Sequence, residues 1–435
     1  MTEGKIGKTL LWFAVPLILG NLLQQTYNAV DSIIVGNYVG SNGLAAVGSS
    51  SALINLLIAF SQGLAVGAGI LVAQAVGAGK QKRISRSVHT AIVIAFLLGI
   101  LLSVLGFVLT PCLLRWMKTP KEVMRDSVSY LRIFSIGLVF NVVYNMEAGI
   151  LNAVGNSKRS LLYLAAASAT NIVLDLLFIR GLGLGVKGAA IATDVSQAVS
   201  CILALGFLLR VKGSYQVHIK ELKIHKNTAL RMIQVGLPTG IQNMVVSLSN
   251  VLVQSSINVF GPAAMAGFGA YMKVDGFNIL PVLSLSMAST TFTGQNYGAG
   301  KLDRVRKGMW ITLVFSVMYT IITGFILMTC SQPILQLFSR DRAVIEAGAT
   351  AMKYFCPFYF LLAALHSLAG TVRGTGKTIP PMVILLVSLC AFRVAWLTFV
   401  LPLHHTVDYV YLIYPLSWGL GAVLMIGYTW KARWM

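Results

Sequence analysis

The chain has 435 residues, 56% of them hydrophobic and 11% charged, with a formal net charge of +21. A soluble domain carries about a quarter charged residues, so this composition excludes an ordinary cytosolic protein. The basic residues sit in short clusters between apolar runs of about 20 residues, the length that crosses a hydrocarbon core. They do not form one continuous basic face, which excludes nucleic acid as a partner.

Residues Met1 to Lys8 are short and polar, and the apolar run after them is too long for a signal-peptide core. That run is expected to be the first membrane span. Turn and charge punctuation then divides the chain into twelve spans, roughly 9–36, 44–75, 88–110, 128–152, 160–180, 187–210, 231–259, 264–293, 309–330, 348–371, 379–401 and 409–430. A β-barrel would show shorter segments with alternating lumen positions. The expected class is therefore an all-α polytopic membrane protein with twelve transmembrane helices. Loops on the side of the termini hold 22 of the 34 basic residues, from Lys5 to Arg433, whereas the opposite loops hold 8, Lys118 among them. That imbalance predicts a multi-pass protein of the inner (plasma) membrane with both termini in the cytoplasm.

The second half repeats the first. Gln74-Ala75-Val76-Gly77-Ala78-Gly79-Lys80 recurs as Gln295-Asn296-Tyr297-Gly298-Ala299-Gly300-Lys301, 221 positions later, and Gly40, Gly48 and Arg83 match Gly261, Gly269 and Arg304. Gly155-Asn156-Ser157-Lys158 aligns with Gly374-Thr375-Gly376-Lys377 at an offset of 219. Each half has six spans, so both enter from the same side and are expected to be related by an axis along the membrane normal. The predicted organisation is a six-helix lobe at 1–210, a cytoplasmic linker at 211–230 and a second six-helix lobe at 231–435. The glycines ending spans 2 and 8 read as tight turns at helix C-termini. Gly374-Thr375-Gly376-Lys377-Thr378 imitates a phosphate loop, but Thr371 stands where that motif needs glycine. With no ATPase segment, the energy source is expected to be something other than ATP. The five cysteines lie in or beside apolar runs without CxxC spacing, so neither a disulfide framework nor a metal cluster is implied. No nucleophile–base constellation marks an enzyme.

A carboxylate within a span costs several kcal/mol unless a partner or cavity receives it, which makes each one a functional candidate. The first half carries Asp31, Glu147, Asp175 and Asp194, whereas the second carries Asp275 alongside Lys273, Lys353 and Arg393. Tyr27 lies four residues before Asp31, and Asn171 four before Asp175, so each pair shares a helix face. With Thr193 at a similar depth, these residues supply hard oxygen ligands suited to a small hard cation. The same two carboxylates could equally share a proton. Glu147 and Asp194 are candidates for substrate contact or gating. So are Lys273, Asp275 and Arg393, with Arg393 and Lys273 expected either to neutralise Asp275 or to meet an anionic part of the substrate. Each of these residues could instead be a polar group satisfied by a neighbouring helix. Pro16 and Pro238, at corresponding places in spans 1 and 7, are expected to bend those helices.

These residues resemble the multidrug and toxic compound extrusion (MATE) family. The likeness rests on Pro16…Gln25-x-Tyr27-x-x-x-Asp31-x-x-x-x-Gly36, on Leu44-Ala45-Ala46-Val47-Gly48, on Gln-x-x-Gly-Ala-Gly in both halves and on Asn171-x-x-x-Asp175. It covers nearly the whole chain. The resemblance implies two six-helix lobes working by alternating access as a secondary antiporter that exports organic cations and amphipathic drugs in exchange for Na+ or H+. It places the cation-coupling residues of the prokaryotic branch with an N-lobe site on Tyr27, Asp31, Asn171, Asp175 and Thr193; for Na+ the ligands would be Asp31, Asn171, Asp175 and Thr193. Some members carry an acid in span 7, where this chain has Gln242, Asn243 and Asn250. Coupling is therefore expected in the first lobe. No cofactor beyond the coupling ion is implied, and the partners expected are a small amphipathic substrate and the lipid bilayer, with the protein acting as a monomer. A related branch flips lipid-linked sugars, so a flippase for a lipid-linked or anionic amphiphile is the alternative.

Overall fold

The computed structural model describes residues 1–117 and 119–432, apart from the side chains of Ser41 and Ala52. Lys118 and Arg433, two of the loop charges counted above, lie outside the described residues. Among the described residues there is no strand. The twelve long helical segments are α1 (Ile6–Tyr38), α2 (Ser41–Gly77), α3 (Gln81–Trp116), α4 (Lys121–Ala153), α5 (Ser157–Gly181), α6 (Gly185–Arg210), α7 (Lys226–Asn258), α8 (Pro262–Gly298), α9 (Leu302–Thr329), α10 (Arg342–Gly374), α11 (Ile379–His404) and α12 (Val407–Lys431). A helix satisfies its backbone donors and acceptors within its own segment, which hydrocarbon demands of any lipid-exposed span.

Ten of the twelve are long and apolar enough to cross a membrane. The other two are α7, interrupted by Gln242, Asn243, Asn250 and Gln254, and α8, interrupted by Lys273, Asp275 and Asn278. Their lengths nevertheless repeat those of the first half. Helices α1 and α7 each have 33 residues, and α2 and α8 each have 37.

The duplicated turns carry the same hydrogen bonds. Ala78, Gly79 and Lys80 donate to the carbonyls of Gln74, Val76 and Ala75, and Ala299, Gly300 and Lys301 donate to those of Gln295, Tyr297 and Asn296. Gly79 at φ +65° and Gly300 at φ +71° hold the left-handed position that closes each helix. In the turn after α4 the left-handed residue is Gly155, and its counterpart after α10 is Gly376. This keeps the 221-residue offset and corrects the 219-residue alignment of Gly155 with Gly374, which lies inside α10.

The chain forms two compact units, one of Val15–Gly240 and one of Met1–Ala14 with Ile241–Met435. These boundaries differ from the expected lobe limits in a regular way. Helices α1 and α7 each begin in one unit and continue in the other, changing over beside Pro16 and Pro238. Both helices run unbroken through these prolines. The segment expected as a linker belongs to the first unit. There His218 donates its backbone N–H to Nε2 of His89 at 2.9 Å, and His225 donates to Oγ1 of Thr90 at 3.2 Å.

Within that unit α2 and the start of α7 approach backbone to backbone, Gly63 against Gly240 and Gly67 against Gly236. A Cβ on Gly67 would stand 2.6 Å from the Cα of Gly236 and 2.6 Å from the carbonyl of Met232. Substitution Gly67→Val should therefore force the helices apart and cost at least about 1–3 kcal/mol, read as a lower thermal midpoint of the detergent-purified protein. Gly206→Ala, whose Cβ meets nothing within 4 Å, should be neutral or stabilising, because alanine is the better helix former.

Candidate functional site

In the unit Val15–Gly240 the acids of α1 and α5 converge. Helical spacing stacks Tyr27 on Asp31 and Asn171 on Asp175. The Asp31 and Asp175 carboxyls lie within electrostatic reach of each other, and the Tyr27 hydroxyl within reach of both. Asn171 is 1% exposed and Asp175 is fully buried. With both acids ionised, neither oxygen of Asp175, nor Oδ1 of Asp31, nor either end of the Asn171 amide has a hydrogen-bond partner among the described residues, whereas a proton on one carboxyl bonds it to the other. Buried polar atoms are almost always paired, so a cluster of orphaned oxygens on two facing helices is suited to receiving a ligand. Two carboxylates and an amide oxygen fit a monovalent hard cation or a proton. Such hard oxygen donors do not suit a soft transition metal. The Oγ1 of Thr193 donates to the Ala189 carbonyl on its own helix at 3.0 Å, leaving its lone pairs as the part available for coordination.

Two further groups belong to this neighbourhood. Tyr130 of α4 is buried within reach of Asp31, Asp175, Asp194 and Tyr27 together. Helical spacing in the sequence links it to Asp126, not to the acids of α1, α5 and α6 that it meets. Asp194 packs its carboxyl onto the backbone of Gly137 so closely that no side chain fits there. Glu147 stands apart. It is fully buried on α4 with both oxygens unpartnered, and the ionisable groups within its reach are Tyr144 and Cys201.

The other unit is organised differently. Asp275 of α8 accepts from Tyr359 of α10 at 2.6 Å and from Tyr271 at 3.3 Å, while the two hydroxyls stand 2.9 Å apart. These tyrosines lie in an aromatic cluster with Phe268, Phe355, Tyr414 and Trp418. Lys273 is exposed, with its ammonium 5.9 Å from the ring centre of Phe338. Arg393 donates from Nη1 to Oδ1 of Asn250 at 2.8 Å and from Nε to Oγ of Ser417 at 3.1 Å. The expectation that Arg393 or Lys273 neutralises Asp275 is corrected here. Tyrosine hydroxyls satisfy the acid and neutral oxygens satisfy the guanidinium.

A structural feature invisible in the sequence follows Asp175 directly. Residues Leu176–Gly181 form a π turn, and α11 contains two, Val387–Ala391 and Trp396–Val400. The 221-residue offset carries 176–181 onto 397–402, overlapping the second of these, so the wide turn is kept where the acid is not. Such turns are frequent at functional sites.

The sequence pattern of the MatE family matches residues 16–177 and 238–397, more than half of the chain. The chain is 30% identical to "Probable multidrug resistance protein YoeA" of Bacillus subtilis, over 99% of this chain and 96% of that protein. It is 24% identical to a FAD transporter of Shewanella oneidensis, over 80% and 77% of the two chains. Among solved structures, a MOP superfamily transporter from Pyrococcus furiosus superposes with a TM-score of 0.90 at 22% identity, over 99% of this chain and 96% of that one. An outward-facing multidrug resistance MATE family transporter gives the same TM-score of 0.90 at 22% identity, over 98% and 95%. These structural likenesses show the fold.

Removing the shorter donor to Asp275 tests the tyrosine clamp. Tyr359→Phe should lower stability by about 1–3 kcal/mol in thermal unfolding, and Tyr271→Phe by less, because its bond to the acid is longer.

Proposed function

The chain belongs to the MatE family of membrane transporters, and from that premise we propose that it is a secondary antiporter exporting amphipathic organic cations, drugs among them, in exchange for Na+ or H+. Membership makes it a multi-pass membrane transporter rather than an enzyme. The observation that carries the finer reading is the meeting of Asp31 and Asp175 with their oxygens unpartnered. Two buried carboxylates repel each other and strongly prefer a cation or a proton between them. Asn171 supplies a neutral amide oxygen, Thr193 offers a hydroxyl lone pair, and Tyr27 and Tyr130 border the pair. Binding of the ion removes the repulsion and so favours a conformation in which the two acids are close. Substrate and ion need then differ only in which conformation each prefers for one gradient to drive the other. The name of the Bacillus relative supports drug efflux as the cargo class. The charge imbalance across the loops supports cytoplasmic termini, hence substrate uptake from the cytoplasm or inner leaflet of the plasma membrane, and the protein is proposed to act as a monomer.

The test is transport of a fluorescent organic cation into proteoliposomes under separately imposed Na+ and proton gradients. Movement driven by one of these gradients and lost in both Asp31→Asn and Asp175→Asn is the expected result. Activity that survives both substitutions would remove the coupling site from the first unit. Failure of any cation to move, with uptake of an anionic or lipid-linked amphiphile instead, would favour the flippase alternative, for which the likeness to a FAD transporter is the supporting observation.

A further inference from the structure

Arg393 is 3% exposed and has no acidic partner among the described residues. A buried charge without a counter-charge is costly unless polar groups fully receive it. Its surroundings have a counterpart in the other unit. Helices α7, α11 and α12 are the repeat mates of α1, α5 and α6, which carry Asp31, Asp175 and Thr193. Arg393 projects from α11 and bonds Asn250 of α7 and Ser417 of α12, with its guanidinium carbon 4.5 Å from the ring centre of Tyr414. The 221-residue offset carries Thr193 onto Tyr414, Asp31 to within two residues of Asn250, and Asp175 onto Trp396, about one helical turn beyond Arg393. In the first repeat α1 and α5 present orphaned oxygens, and α6 presents the lone pairs of a bonded hydroxyl. In the second they present an amide oxygen, a hydroxyl and a ring face, all turned to one guanidinium.

We infer that Arg393 is the second repeat's built-in cation, holding on a tether the place that an exchangeable monovalent ion takes against Asp31 and Asp175 in the first. An ion that must bind and leave needs carboxylates to compensate its dehydration. A guanidinium fixed to the backbone cannot leave, so neutral oxygens and a π face suffice to hold it. The bonds of Arg393 run into α7 and α12, so the guanidinium is held by the helices of its own repeat. Ion exchange is then confined to the unit Val15–Gly240, and the second unit keeps a constant internal charge through the cycle. This inference rests on the proposed coupling at Asp31 and Asp175, but it is scored by a separate signal.

The experiment counts monovalent cations bound per chain in the detergent-purified full-length protein, using radiolabelled Na+ and, in parallel, proton uptake. In Asn250→Asp/Arg393→Ala the tether is removed and a carboxylate supplied, so the variant should bind one more exchangeable cation than its parent. That gain should persist when Asp31→Asn is added. Arg393→Ala alone should lower the thermal midpoint, with millimolar methylguanidinium restoring it where equal choline does not. A folded double variant that gains no cation would overturn the inference, as would an Arg393→Met protein as stable as the parent, since apolar packing would then suffice. Should the double variant not fold, Asn250→Asp/Arg393→Gln carries the same count. Retention of the parent's own ion binding in Asp31→Asn would instead defeat the coupling proposal, leaving the gained site to be judged against its parent.

Discussion

Hydrocarbon offers no hydrogen bonds, so every polar atom carried into a span must find its partner within the protein or be left for a ligand. The two units of this chain meet that constraint in opposite ways. In the second, Asp275 is closed off by the hydroxyls of Tyr359 and Tyr271, and Arg393 by Asn250, Ser417 and the ring of Tyr414. In the first, Asp175, Asn171 and one oxygen of Asp31 are left open, with Glu147 open as well. Open polar groups are what a transported ion can use, and closed ones form a scaffold. The contrast holds for the charged groups, since neutral side chains of the second unit, Gln242 and Tyr411 among them, also keep an unpartnered polar atom.

The duplicated frame makes that comparison possible. Equal lengths of α1 and α7 and of α2 and α8, the shared turn at Gly79 and Gly300, and the recurrent π turns of α5 and α11 survive where side-chain chemistry has diverged. Backbone geometry is held by packing contacts such as Gly67 on Gly236, which tolerate no added atom.

The two units also share elements. Each of α1 and α7 begins in one compact unit and ends in the other, and both change over beside a proline that removes one backbone hydrogen bond. A helix weakened at that point can accommodate a change of angle more readily than an uninterrupted one. In α1 the acid that faces Asp175 lies four turns beyond Pro16, on the segment that belongs to the first unit. Asp31 and the changeover point are thus on one continuous helix.

Much of this was legible in the sequence, because the relevant signals are local. Apolar run length gives the spans, the recurrence of Gln74–Lys80 as Gln295–Lys301 gives the repeat and its turns, and four-residue spacing places Tyr27 over Asp31 and Asn171 over Asp175. Spacing along one helix fixes which residues share its face. The partners of that face depend on how neighbouring helices are rotated and how closely they approach, and those quantities come from packing over the whole unit. That is why tertiary structure alone brought Asp31 to Asp175, added Tyr130 to them, seated Asp194 on Gly137 and left Glu147 apart. It is also why the expected pairing of Arg393 with Asp275 did not form, since each had neutral partners closer at hand; Lys273, two residues from Asp275 on the same helix, does not share its face. The sequence by itself determined the helices and the faces they present, and the tertiary structure decided which faces meet.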